Sequence, residues 1–237
     1  MSFTTTSTQK KKQIQSSFAI VGGRYKGVKL SLHSNATTRP TKALVKKSFF
    51  DSTQGIIPLC LFVECFAGSG QMGFEAISRG ANKALFFEKD KKAYSNLQKN
   101  LQIFQDKCKK TSAFYEDKYI YNDYTEQQIE SHCADFFESP HILEDSKKSA
   151  QQIIMYLDPP FPNHLPNEEC NTSISTSQDI YRKIQDFIQT FSSSLLQKIH
   201  LIIIESMTSY PLYKQIGDFH LTKMSKFGKT TLAYFQH

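Results

Sequence analysis

The sequence predicts a doubly wound, Rossmann-like α/β sheet, mostly parallel, with a β-hairpin ahead of it and an antiparallel hairpin at its end. Three observations carry this expectation. From residue 59 onward, short apolar runs alternate with segments of helical period, the order that produces parallel pairing. The first of those runs leads into a glycine-rich turn and then a helix, the arrangement that lets a ligand approach backbone closely. The last residues, 219–224 and 230–235, flank Phe227-Gly228-Lys229 as two strands around a turn.

The 237 residues, 39% hydrophobic and 22% charged, suit one domain with appendages. Residues 1–17 are rich in Thr, Ser, Gln and Lys and are expected to be a disordered basic arm. Residues 18–50 form an extension. Phe18-Ala19-Ile20-Val21 and Val28-Lys29-Leu30-Ser31-Leu32 are strands around a Gly22-Gly23 turn, and Thr41 caps a helix whose stripe is Leu44, Val45, Ser48 and Phe49. Residues 51–237 form the main domain.

Within that domain, residues 59–64 are a strand, and 71–79 a helix that Gly80 ends. A strand over 84–88 follows, then a helix over 91–104 with Ala93, Leu97, Leu101 and Phe104 on one face. The charged residues 107–110 are expected in a loop, at the start of an insertion covering 105–132. The run Ile153-Ile154-Met155-Tyr156-Leu157 is a buried strand, 162–177 a polar loop, 179–196 one helix, and 200–205 another buried strand.

Charge narrows the function classes. The net charge is +7, and residues 1–50 hold ten Lys or Arg and no acid before Asp51. Such a segment is the electrostatic footprint of a polyanion binder, and Arg24, Lys26 and Lys29 on the hairpin are its candidate contacts. No apolar run approaches the ~18 residues of a membrane-spanning helix, and the first residues lack the apolar centre of a secretory signal. A cytoplasmic protein, with no membrane partner, is expected. Five cysteines without a C-x-x-C pair point to neither a zinc site nor a disulfide framework; Cys60 and Cys65 are expected in the core.

Two motifs carry the chemistry. Residues 61–73, Leu-Phe-Val-Glu-Cys-Phe-Ala-Gly-Ser-Gly-Gln-Met-Gly, hold glycines at Gly68, Gly70 and Gly73. Glu88, ending the next strand, is spaced to accept hydrogen bonds from ribose hydroxyls. NAD and S-adenosylmethionine both fit an acid there. A dinucleotide fold normally places its first glycine directly after the strand, to set pyrophosphate on the helix. Here Glu64-Cys65-Phe66-Ala67 intervenes, which favours the methyl donor. The second motif is Asp158-Pro159-Pro160-Phe161. Two prolines at a strand end cannot continue a ladder, so the chain turns a rigid corner that presents a carboxylate, free carbonyls and an aromatic face.

Together, Glu64 to Gly70 and Asp158 to Phe161 resemble the amino-methyltransferases that act on exocyclic nitrogens of bases. Gly22-Gly23-Arg24-Tyr25-Lys26-Gly27-Val28-Lys29-Leu30, Thr38-Arg39-Pro40-Thr41 and Gly73-Phe74-Glu75-Ala76-Ile77-Ser78-Arg79-Gly80-Ala81 make the resemblance closer to the RsmD-type bacterial 16S rRNA guanine-N2 methyltransferases. The family implies a class I methyltransferase sheet using S-adenosylmethionine, acting on 16S rRNA or the assembling small ribosomal subunit as a monomer. It implies that Phe66, Gly68 and Gly70 line the cofactor, that Glu88 holds the ribose, and that Asp135 and Phe136 sit at the adenine. Residues 38–41, with Arg39 and Thr41, would close over the methionine end. Glu64 stands where the family usually has Asp. Asp158, Pro159, Pro160 and Phe161 would form the catalytic corner. The alternatives are a DNA adenine-N6 or cytosine-N4 methyltransferase, which the corner also permits, and an inactive nucleic-acid-binding relative.

Overall fold

A computed structural model describes residues 16–33, 40–114, 129–160 and 180–237. Arg39, Phe161, the side chain of Thr41, most of the basic arm and the 162–177 loop therefore lie outside the described residues. The chain runs β1 (Ser17–Ala19), β2 (Lys29–Ser31), α1 (Pro40–Thr53), β3 (Leu61–Glu64), α2 (Gln71–Ser78), β4 (Lys83–Phe87), α3 (Lys91–Phe114) and β5 (Ile129–His132). It continues with α4 (Pro140–Ser146), β6 (Ile153–Leu157), α5 (Ile180–Ile188), α6 (Ser193–Leu196), β7 (Ile199–Met207), β8 (Gln215–Ile216), β9 (Phe219–Phe227) and β10 (Thr230–Gln236).

Eight strands form one sheet in the order β5-β4-β3-β6-β7-β10-β9-β8. The first five are parallel, and β10, β9 and β8 add antiparallel. Both expectations for the sheet hold, and β1 pairs antiparallel with β2 as the amino-terminal hairpin. The parallel strands read as continuous apolar runs because helices cover both faces. On one face Phe49, Phe74, Leu97 and Phe104 pack with Phe62, Phe86 and Tyr156. On the other Leu143, Tyr181, Ile184 and Leu195 pack with Val63, Met155 and Ile204. Cys60 and Cys65 are buried, as expected.

Three local expectations are corrected. The charged residues 107–110 continue α3 rather than forming a loop. No glycine or proline interrupts residues 91–114, and Cys108, a turn beyond Phe104, stays buried on the same stripe. The single helix expected over 179–196 is two. The Ser192 side chain accepts from the Leu195 N–H and starts α6 anew. Helix α1 begins at Pro40, one residue before the expected cap. Its buried stripe is Val45, Lys46, Phe49 and Phe50, while Leu44 is exposed.

The amino-terminal hairpin is docked on the sheet's helical layer. Gly23 holds φ of 76°, and an added Cβ there would meet the Ser78 carbonyl oxygen at 1.8 Å; one on Gly22 would meet the Arg79 guanidinium at 2.2 Å. The Arg24 N–H donates to Ser78 O (2.7 Å) and the Tyr25 N–H to Ser78 Oγ (2.9 Å). Glu75, fully buried, accepts from the Val21 N–H (2.9 Å), Lys46 Nζ (3.3 Å) and Arg79 Nε (2.9 Å). A buried carboxylate needs such partners, and these tie hairpin, α1 and α2 together.

Candidate active site

The order β4-β3-β6 reverses the direction of winding between β3 and β6, and ligands of such sheets bind in the crevice at the carboxyl ends there. The backbone opens that crevice. Past the end of β3, the Cys65 N–H still donates to Tyr156 O on β6 (3.0 Å), whereas the Ala67 N–H donates to Phe87 O on β4 (2.9 Å). The chain thus crosses from one neighbour to the other and then turns into α2.

The glycines of that turn divide by what surrounds them. An added Cβ on Gly70 would meet the Phe74 ring at 2.5 Å and Leu97 at 2.7 Å, and one on Gly73 would meet Phe86 at 2.3 Å. These two glycines serve helix packing. Gly68, at φ of 53°, would meet nothing within 4 Å, so open space lies over its backbone. Its N–H donates to Glu88 Oε2 (2.7 Å), and Glu88 Oε1 accepts from the Asp90 N–H (2.8 Å). A fixed carboxylate beside an uncovered glycine suits a ribose.

Glu64 points elsewhere. It is buried, and its oxygens accept from the Met72 N–H (3.3 Å) and the Gly73 N–H (2.9 Å) at the start of α2. Burial pushes its pKa up to about 8 against these two donors. Phe66 is half-buried, 6.0 Å from the Phe137 ring and 6.4 Å from Phe136. Asp135 accepts from the Phe137 N–H (3.1 Å), with Lys89 Nζ at 3.5 Å. The Phe136 ring is buried among Phe87, Phe187 and Phe191, and the half-buried Phe137 is the outer member of the pair.

The hairpin reaches this turn through asparagines. Asn100 pairs with both backbone groups of Ser31 (2.8 Å each) and donates to Ser69 O (3.0 Å). Asn96 also donates to Ser31 O (3.0 Å), and the His33 N–H donates to Ser69 Oγ (2.9 Å). His33, the last described residue before the expected cover at 38–41, thus lies beside Ser69. Arg24 is half-buried, with its guanidinium 5.8 Å from the Tyr25 ring, while Lys26 and Lys29 are exposed.

The corner after β6 adjoins the turn across one strand spacing. Pro159 is buried and Pro160 exposed. Asp158 is half-buried, and its Oδ2 accepts from Lys42 Nζ on α1 at 3.0 Å. Glu205, on β7, accepts from the Tyr156 hydroxyl (2.8 Å). Burial together with the Asp158 charge pushes Glu205 up to about 7, and Asp158 raises the Lys42 ammonium above its usual range. Glu64 and Glu205 also contribute to holding Lys42 protonated. Three carboxylates therefore share one neighbourhood with one lysine. Sequence reasoning missed Lys42 and Tyr156 and gave Glu205 no role. The available signals were an acid ending the β7 run and a lysine two residues past Pro40.

Sheet order, with the glycine turn and the proline corner at its switch point, defines the class I, Rossmann-like methyltransferase fold. Solved structures agree on the fold. The methyltransferase-family protein yhhF of Escherichia coli superposes with a TM-score of 0.61 at 19% identity, covering 94% of this chain and 98% of its own. A methylase-family structure from Haemophilus influenzae gives 0.55 at 24% identity, covering 93% and 98%.

Within that class the chain belongs to the family described as conserved hypothetical protein 95, the RsmD type, whose model matches residues 18–236. Ribosomal RNA small subunit methyltransferase D of Haemophilus influenzae is 32% identical over 63% of this chain and 66% of its own length. The Escherichia coli protein of the same name is 28% identical over 65% of this chain and 81% of its own. YlbH of Bacillus subtilis, named for rRNA methylation, is 25% identical over 92% and 97%.

Proposed function

We propose that this protein transfers a methyl group from S-adenosylmethionine to the exocyclic N2 of a guanine in small-subunit ribosomal RNA. The observation that carries the reading is the placement of the Asp158 corner and the Gly68 turn at adjoining strand ends, within a chain whose relatives are named for small-subunit rRNA methylation.

S-adenosylmethionine supplies a methyl group already activated on a sulfonium. Glu88 would accept hydrogen bonds from the ribose hydroxyls beside the open face of Gly68, Phe66 and Phe137 with Asp135 would border the adenine, and the turn at Ser69 would meet the amino-acid end. The acceptor amine is a weak nucleophile because its lone pair is delocalised into the base. Asp158 and the Pro159 carbonyl accept its two N–H bonds, which concentrates the lone pair on nitrogen. As the new N–C bond forms and the S–C bond breaks, the amine becomes acidic and passes one proton to Asp158 or to water. Among the described residues only Oδ2 of Asp158 has a partner, Lys42, which leaves Oδ1 for the amine. Lys42, held on Oδ2, fixes the direction in which the carboxylate faces. In this reading Phe161 stacks on the base, a contact worth ~1–3 kcal/mol in nucleic-acid binders. The rest is positioning.

The hairpin lysines Lys26 and Lys29, with Arg24, grip phosphate, and the unstacked target comes from a loop or single strand. The enzyme acts as a monomer in the cytoplasm. A labelled-methyl assay with small-subunit RNA, bare and carrying its proteins, followed by nucleoside mass analysis, tests the reading. N2-methylguanosine is expected; methyl label in DNA adenine or cytosine alone would overturn it.

A further inference from the structure

Acid-free sequence occurs at both ends of this chain. Residues 1–50 contain no Asp or Glu, and neither do residues 219–237, which carry Lys223, Lys226 and Lys229. The fold brings the two segments together. Helix α1 packs on β9 and β10, with Ser52 Oγ 3.3 Å from the Tyr234 hydroxyl. Between them lies an open groove of about 450 Å³, lined by Leu44, Lys47, Ser48, Asp51, Lys223 and Phe227. Leu44 is 58% exposed and Phe227 half-buried, so the groove has an apolar floor. Asp51 is its acid, and Lys47 pairs with it; Lys223 lies 5.0 Å from the Tyr234 ring and is exposed.

Topology aims this groove at the corner. β7 lies beside β6 with Leu157 opposite Ile204, and β10 runs back from Thr230, opposite Met207. The β9–β10 turn therefore sits at the same end of the sheet as Asp158, two to three strand spacings or roughly 10–15 Å across. It is held firmly there. The Thr208 N–H donates to Lys229 O (3.0 Å), Thr208 Oγ donates to Gly228 O (2.9 Å), and Thr231 Oγ donates to Thr208 Oγ (2.9 Å). From the other side α1 links the two places: Lys42 is at Asp158, and Lys47 is about 7.5 Å further along the helix.

We propose that the outer face of α1 and the β9–β10 hairpin form a second RNA-binding face, separate from the amino-terminal hairpin, which takes single-stranded RNA flanking the target nucleotide. A base lies on Leu44 and Phe227, and the phosphates on either side meet Lys223, Lys229 and Lys47. Apolar surface between exposed ammonium groups is the pattern that single strands select, since every base has a face to stack and every linkage a charge. This rests on RNA being the substrate, and it explains how an extruded guanine is presented: the strand is gripped on both sides of the corner.

The test compares the full-length protein with a Lys223→Gln/Lys229→Gln variant and with Phe227→Ala. Binding of a small-subunit RNA fragment is measured against salt without methyl donor, and S-adenosylmethionine binding by calorimetry reports intact folding. The lysine variant should lower the slope of log affinity against log salt by about 0.7 per lysine and weaken RNA binding about ten-fold at fixed salt, with cofactor affinity unchanged. Phe227→Ala should weaken binding with the salt slope retained. A wild-type slope and affinity in the lysine variant, with the wild type still methylating the RNA, would overturn this face and leave the proposed function standing. Loss confined to RNA already carrying ribosomal proteins would overturn it in favour of a protein contact. A wild type that neither binds nor methylates RNA would remove both readings.

Discussion

The glycine turn and the proline corner sit at neighbouring strand ends but are built by opposite means. The turn is made of backbone and packing: N–H groups of Cys65, Ala67, Gly68, Met72 and Gly73 all have fixed acceptors, and Gly70 and Gly73 exist to let Phe74, Leu97 and Phe86 close in. The corner is made of charge: Asp158, Glu205 and Lys42 come from three segments of chain, Lys42 pairs with Asp158, and the buried Glu205 feels both charges. A region set by packing is pre-formed and tolerates little change in shape. A region set by charge tolerates shape changes but answers to protonation and to whatever cation or amine arrives. This suits a turn proposed to hold a cofactor in one pose and a corner proposed to offer Oδ1 of Asp158 to a substrate while Lys42 keeps Oδ2.

The largest effect that tests this contrast is at the corner. Asp158→Asn keeps the shape and removes the charge. The rate of methyl transfer should fall by about 10²–10³-fold, the scale for losing one preorganised polar group at a reacting centre, with S-adenosylmethionine affinity within two-fold of the wild type. Single-turnover assays beside calorimetry read both numbers. Wild-type activity would sink the assignment of Asp158 as acceptor of the amine.

The turn should fail in the other sense. Gly70→Ala drives a methyl into two buried side chains at φ of 79°, and should cost about 2–4 kcal/mol in stability, from overpacking plus the left-handed backbone. Gly68→Ala, with open space around it, should cost only about 1 kcal/mol and act chiefly on cofactor binding. Urea unfolding of the two variants separates packing glycine from ligand-facing glycine. Equal losses would mean the turn is uniform and the distinction wrong.

Much of this was legible in sequence, and the contrast explains which parts. The turn, the β6 run, the corner and both hairpins are local: each is written within about a dozen consecutive residues, in glycines, prolines and apolar runs. Lys42 and Asp158 are 116 residues apart, and Tyr156 with Glu205 meet only because β6 and β7 are neighbours in a sheet whose order the sequence does not spell out. The Glu75 cluster is similar, since the Gly-Gly-Arg motif looked like an RNA grip while its glycines seat the hairpin on Ser78 and Arg79. The errors at 107–110 and 189–192 are of a different kind. At 107–110 the buried stripe through Phe104 and Cys108 outweighs the run of charge, and at Ser192 a side-chain cap breaks a pattern that is helical on both sides.

A middle-sized effect belongs to the joint between the two regions. Glu88→Gln removes the carboxylate that fixes Gly68 and is proposed to meet the ribose. A hydrogen bond to a charged group contributes about 1.5–3 kcal/mol, so S-adenosylmethionine affinity should drop about 10–100-fold while RNA binding is unchanged. Calorimetry with cofactor and gel-shift with RNA read these separately, and a parallel loss of RNA affinity would show that the carboxylate supports the fold rather than the ligand.

The smallest effect is a slope with pH, and it distinguishes a charge-built corner from a packed one most directly. Glu205 and Glu64 hold their protons more tightly when folded, up to about 7 and about 8, than an unfolded glutamate, near 4.3. Their contribution to stability is therefore full below the unfolded pKa and is lost as pH rises through the folded values. Stability should decline from about pH 5 to pH 8. The lowered acids Glu130, Glu144, Asp90 and Asp145 act in the opposite sense and only at lower pH. Glu205→Gln keeps an acceptor for the Tyr156 hydroxyl and removes its titration, so urea midpoints at pH 5, 6, 7 and 8 should decline less steeply below pH 7 and keep the Glu64 share across the whole window. A wild type with no decline across that window would show that Glu205 and Glu64 are both already ionised at pH 5, with Lys42 holding them strongly enough to cancel burial. The corner would then carry two permanent negative charges against one lysine, and it would favour a cationic group over a neutral base amine.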